Sequence, residues 1–152
     1  TELLLAAGNT GRVVNIKKGQ FLSPHSMKNA ADKVSSTGNK NILLTERGTT
    51  FSYNNLIVDM RSLVIMKKVG YIVVIDATHS VQMPGAGNKT GGSPEFILPL
   101  AKAAAAVGID ALFVEVHPNP KEALSDSESQ LPISELKELI IQVKKIDEAV
   151  KK

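Results

Sequence analysis

Four short runs of mostly β-branched and aliphatic residues punctuate the chain: "RVVNIKKG" (12–19), "NILLTERG" (41–48), "YIVVIDATH" (71–79) and "ALFVEVHP" (111–118). Each is almost continuously apolar until it meets a charged residue, the pattern of a parallel strand covered on both faces. Their starts lie 29, 30 and 40 residues apart, room for a crossover helix between each pair. The expectation is an α/β chain of repeated strand–helix units.

The intervening segments read as helices. "SPHSMKNAADKVSSTG" (23–38) offers Ser23 as a cap, Pro24 in the first turn and Gly38 as a stop. "SPEFILPLAKAAAAVG" (93–108) repeats that grammar with Ser93, Pro94, Glu95 and Gly108, and Pro99 is expected to bend the first turns or mark an earlier start. In the last segment Ile133, Leu136, Ile140, Val143, Ile146 and Val150 recur at steps of three and four, one apolar stripe. Residues 49–70 read as a polar loop passing into a short helix.

Charge enters at one place in every unit, the C-terminal end of the strand. Lys17 and Lys18 end the first run, Glu46 and Arg47 the second, Asp76 and His79 the third, Glu115 and His117 the fourth. In parallel α/β folds that edge is where ligands bind, so four such ends in register predict an active-site rim. Lys17, Arg47 and Lys18, with Gln20 as a neutral neighbour, suit a phosphate or carboxylate; the alternative for one lysine is an ion pair with Glu46. His79, Glu115, Asp126, Asp76 and His117 suit a divalent transition metal, and equally ordinary acid–base work. "GAGNKTGG" (85–92) lacks the spacing of a phosphate-binding loop and reads as a lid.

Composition narrows the classes. A 43% hydrophobic content fits one globular domain, and no apolar run reaches the length of a membrane span. The net charge of +3 comes from dispersed lysines, and two tyrosines and four phenylalanines form no aromatic ladder, so nucleic acid is not an expected partner. The absence of cysteine fits a reducing compartment. The start, "TELLLAAGNTGR", does not read as a signal peptide, and Thr1 is not an initiator, so a piece of a longer chain is expected.

The strings "VVNIKKGQFLSP", "LLTERGTTFSYNNLIVDMRSL", "DATHSVQMPG", "GGSPEF" and "EVHPNPKEALSDSESQLP" together resemble the 3-deoxy-D-manno-octulosonate 8-phosphate synthase family, from Thr1 to about Leu131. The resemblance implies a (β/α)8 TIM barrel of which residues 1–152 supply about the last four β/α units, the C-terminal half of a single domain. It also implies a cytoplasmic transferase of lipopolysaccharide biosynthesis, a homotetramer that condenses phosphoenolpyruvate with D-arabinose 5-phosphate and releases phosphate. Four strands do not close a barrel, so the segment alone is expected to be inactive.

Residue by residue, the resemblance casts Lys17, Gln20 and Arg47 as the grip on phosphoenolpyruvate. Lys17, His79 and Asp126 become catalytic, with His79 also touching substrate. It casts His79, Glu115 and Asp126 as ligands of a divalent metal (zinc, iron or manganese) in members whose first strand supplies a cysteine; members with asparagine there use none. "KKGQ" in place of "KKPQ" leans toward the metal-dependent kind. Asp76 is expected to orient His79, and Asn119 and Glu122 to shape the last loop. Ser52 and Val64 depart from a usual glycine and proline, which puts loop geometry in question. The alternatives are the sister 3-deoxy-D-arabino-heptulosonate 7-phosphate synthase and a non-catalytic structural domain.

Overall fold

A computed structural model of the chain describes residues 1–50, 54–84 and 91–151. It is a mixed α/β structure built on one parallel sheet. In chain order the elements are α1 (Glu2–Asn9), β1 (Val14–Lys17), α2 (Met27–Ser35), β2 (Ile42–Glu46), α3 (Met60–Lys67), β3 (Ile72–Asp76), α4 (Ile97–Val107), β4 (Ala111–Phe113) and α5 (Ile133–Val150). The four strands lie side by side in sequence order, all parallel, with β1 and β4 at the edges. All four apolar runs therefore became strands, and the helices fill the intervals predicted for them.

The register decides which side chains meet. Ile16, Leu44 and Val73 form one row across the sheet, and Lys17, Thr45, Val74 and Ala111 the next. Successive residues of a strand point to opposite faces. The row of Ile16, Leu44 and Val73, with Ile42 and Ile75, packs on Met27, Ala31 and Val34 of α2, Leu63 and Met66 of α3 and Ala104 of α4. A second cluster joins Ala77, Val81 and Leu131 to Ile97, Ala101 and Ala105 of α4 and to Leu139 and Val143 of α5. The helices thus cover one face, and the row of Lys17 turns to the other.

Three local expectations change. Ser23 does cap its segment, its oxygen accepting from the Ser26 N–H at 3.3 Å, but a 3-10 turn over Pro24–Ser26 precedes α2. Ser93 makes no such bond; a 3-10 turn over Pro94–Phe96 comes first and α4 begins at Ile97. Pro99 then falls at the third position of α4, where its missing N–H has no carbonyl to reach and no bend is required. In α5 the covered stripe is Leu136, Leu139, Val143 and Ile146. Ile133, Ile140 and Val150 are exposed, turned away from the side of α5 that packs on α4 and on the paired segments Val116–His117 and Leu131–Pro132.

Met60–Lys67 forms the expected short helix, α3, and the described residues before it include a strand pair in place of a plain loop. Thr49–Thr50 pairs antiparallel with Leu56–Ile57, and Asp59 caps α3 by accepting the Arg61 N–H. Val64 lies mid-helix in α3, so its departure from proline concerns a helix and not a loop. Ser52 and most of the expected lid (85–90) lie outside the described residues.

Candidate active site at the strand ends

The pleat separates the charged pairs that the sequence groups together. Lys18 and Glu46 continue the helix-facing rows and are each 1% exposed. Lys18 Nζ lies 3.4 Å from Glu46 Oε1 and donates to Thr49 Oγ1 at 3.0 Å. Glu46 also accepts the N–H groups of Arg47 and Gly48, at 3.0 and 2.7 Å, and the Ser62 hydroxyl at 2.5 Å. Lys18 is therefore not a rim cation. It is the lysine that pairs with Glu46, and together they fasten the turn that presents Arg47.

Lys17 faces the other way. Its Nζ donates to Asp76 Oδ2 at 2.7 Å and stands 4.1 Å from the centre of the Phe113 ring. Asp76 has no exposed side-chain surface, yet it is fully engaged. Oδ1 accepts from the His79 N–H at 2.9 Å and Thr78 Oγ1 at 3.1 Å, and Oδ2 lies 2.7 Å from His79 Nδ1. Burial alone would raise its pKa, but the hydrogen bonds from His79 and Lys17 outweigh it and hold the carboxyl at about 2. An ionised Asp76 keeps the Nδ1 proton, so His79 presents Nε2 outward.

That nitrogen points at carboxylates. His79 Nε2 lies 3.5 Å from Glu115 Oε1, and one ligand atom from each of His79, Glu115 and Asp126 falls within 4.8 Å of the others. Three half-buried N and O donors so placed, with the far ring nitrogen held by a carboxylate, fit a divalent zinc, iron or manganese ion. Asp126 reaches the cluster from a residue with φ +54, a left-handed conformation that aspartate tolerates better than most. Its loop packs tightly on Gly92, where a Cβ would fall 2.3 Å from the Glu128 carbonyl oxygen.

Arg47 joins the same group through a residue that sequence reasoning missed. Its Nη2 donates to Gln82 Oε1 at 2.9 Å, and Gln82 Nε2 donates to Asp126 Oδ1 at 2.5 Å. Gln82 follows the third strand within "DATHSVQMPG", but an uncharged residue carries no signal of its own. Thr78 was missed for the same reason; its hydroxyl also accepts the Glu115 N–H at 3.1 Å. Two predicted members stand apart. Gln20 is bonded to Thr50, through its side chain at 2.9 Å and its carbonyl at 3.1 Å. His117 Nδ1 turns into its own loop, 2.7 Å from the Asn119 carbonyl. Asn119 and Glu122 form the turn that follows, the Glu122 N–H donating to the Asn119 carbonyl.

The cations Lys17 and Arg47 therefore stand beside the imidazole–carboxylate cluster of His79, Glu115 and Asp126. The family model for the DAHP synthetase I family matches residues 1–152, the whole chain. The chain belongs to the DAHP synthetase I family. Curated relatives carry a more specific name, 2-dehydro-3-deoxyphosphooctonate aldolase. The one from Syntrophotalea carbinolica is 58% identical over 152 residues, covering 99% of this chain and 55% of that protein. One from a Cyanothece species is 58% identical over 144 residues, covering 94% of this chain and 53% of its own length. One from Pelobacter propionicus is 53% identical over 152 residues, 99% of this chain and 56% of that protein. This DAHP synthetase I chain spans about half the length of the curated relatives it matches. No helix among its described residues is long and apolar enough to cross a membrane.

Proposed function

We propose that the chain forms the larger part of the active site of a 2-dehydro-3-deoxyphosphooctonate aldolase, that is, a 3-deoxy-D-manno-octulosonate 8-phosphate synthase. The reading rests on one observation above all: His79, Glu115 and Asp126 converge within 4.8 Å beside the cations Lys17 and Arg47. The parallel order β1–β4 is the arrangement expected of half a (β/α)8 barrel, which the rest of the polypeptide would close. The complete enzyme is a cytoplasmic homotetramer in this proposal.

In the reaction, C3 of phosphoenolpyruvate attacks the aldehyde carbon of D-arabinose 5-phosphate and forms the new C–C bond. Water adds at C2, and the resulting hemiketal phosphate collapses with C–O cleavage to release inorganic phosphate. Lys17 and Arg47 hold the phosphate and carboxylate of phosphoenolpyruvate, with Gln20 at the margin, and neutralise the charge that gathers there. Where no metal is bound, His79, fixed by Asp76, offers Nε2 to a proton in transit between water and the aldehyde oxygen. Asp126 acts beside it. His79, Glu115 and Asp126 would hold a divalent metal, which supplies Lewis acidity toward an oxygen when bound.

The names of the relatives favour the eight-carbon product over the seven-carbon one. Phosphate release by the full-length enzyme, offered D-arabinose 5-phosphate and D-erythrose 4-phosphate in parallel, tests this. The expected result is preference for arabinose 5-phosphate. Preference for erythrose 4-phosphate would assign the heptulosonate reaction, and no release together with no phosphoenolpyruvate binding would leave a structural domain.

A further inference from the structure

The cation and the carboxylate of the site sit at opposite ends of one amide. Arg47 has only donors and an ionised Asp126 only acceptors, so the Gln82 amide has a single orientation that serves both. Gln82 is 8% exposed, and its backbone is fixed by the antiparallel pairing of Gln82–Met83 with Gly91–Gly92. Without that amide nothing among these contacts separates two opposite charges that would otherwise attract each other. We propose that Gln82 is a positioning residue, a neutral spacer that prevents Arg47 and Asp126 from closing into a direct ion pair. Its effect is to keep the guanidinium available to an anion and the Asp126 oxygen available to a cation.

The inference deepens the proposed function and rests on it, and it makes a prediction that neither a packing role nor simple orientation of Asp126 shares. Removing Gln82 lets Arg47 capture Asp126, so each partner then spoils the other. Deleting the unwanted partner should restore the one that remains.

The test uses the full-length enzyme and two binding titrations that need no turnover, Zn²⁺ into metal-free protein and phosphoenolpyruvate into protein without sugar. Gln82→Ala should weaken both by about 10–100-fold while the unfolding midpoint stays near wild type. In that background Arg47→Ala should recover most of the Zn²⁺ affinity, and Asp126→Ala most of the phosphoenolpyruvate affinity, a coupling that a double-mutant cycle reads directly. If wild type binds no Zn²⁺, the phosphoenolpyruvate arm alone decides. Failure of Asp126→Ala to recover phosphoenolpyruvate binding, with wild type binding normally, overturns the spacer. Equal loss from Gln82→Ala and the double variants, accompanied by a lowered midpoint, makes Gln82 a packing residue. Wild-type protein that binds neither probe overturns the functional reading, and the spacer with it.

Discussion

Lys17 and Lys18 are neighbours in the chain and each ends on a carboxylate, yet they belong to different parts of the molecule. Lys18 and Glu46 lie on the helix-facing side of the sheet, 1% exposed, with further partners in Thr49, Ser62 and the turn at Arg47 and Gly48. Lys17 crosses the open face to Asp76, its side chain 37% exposed and beside His79. The residue types match; the parity of the strand differs. One pair fixes the fold under the rim, and the other places a cation on it. The comparison shows that charge at a strand end is not by itself evidence of chemistry, and that the pleat assigns each residue to one task.

The largest effect should come from breaking the inner pair. Lys18→Ala leaves Glu46 buried without its cation, and the loss expected for such a site is about 3–5 kcal/mol, read by urea unfolding. A double variant, Lys18→Met with Glu46→Gln, keeps an acceptor for the N–H groups of Arg47 and Gly48 and removes both charges. It should regain much of that loss. Equal stability of Lys18→Ala and wild type would place Lys18 outside any buried pair.

The outer pair should show itself through pH. Asp76 is held at about 2 against an ordinary 3.8, so its folded form is the better acid. A depressed carboxyl stabilises the fold fully above the unfolded value, and this is lost as pH falls through the folded one. Between about pH 4 and pH 2 the chain should lose about 2 kcal/mol from this group. Asp76→Asn should flatten that part of the stability profile, and an unchanged slope would show that the carboxyl is not depressed.

These effects also mark what the sequence discloses. The four strands were legible because buried parallel strands are written as continuous apolar runs, and α2 and α4 because their ends carry Pro and Gly; Gly108, at φ +98, closes α4 in the left-handed form. That His79, Glu115 and Asp126 would meet was legible through residue type and resemblance. The faces were not. A strand that is apolar on both of its faces has no alternation to reveal parity, so Lys17 and Lys18 read as equivalent. Gln82 was illegible because its role depends on what stands at either end of its amide. The stripe in α5 was right at Leu136, Val143 and Ile146 and missed elsewhere for a third reason: Ile140 and Leu139 are both apolar, and the position of the neighbouring elements decides which is covered.

The smallest stability effect belongs to Lys17→Ala, expected below about 1 kcal/mol because its side chain is partly exposed and its ion pair is screened. The same substitution carries the central claim. Phosphoenolpyruvate is titrated into full-length Lys17→Ala and, alongside it, into Lys18→Met/Glu46→Gln. Removing a charge-assisted contact to the ligand should weaken binding by about 10–100-fold in the first. The second keeps an amide acceptor for the Arg47 and Gly48 N–H groups, so Arg47 stays placed and binding should match wild type. Equal losses in the two, or a loss confined to the inner-pair variant, would contradict the division of the strand ends into a structural face and a chemical one.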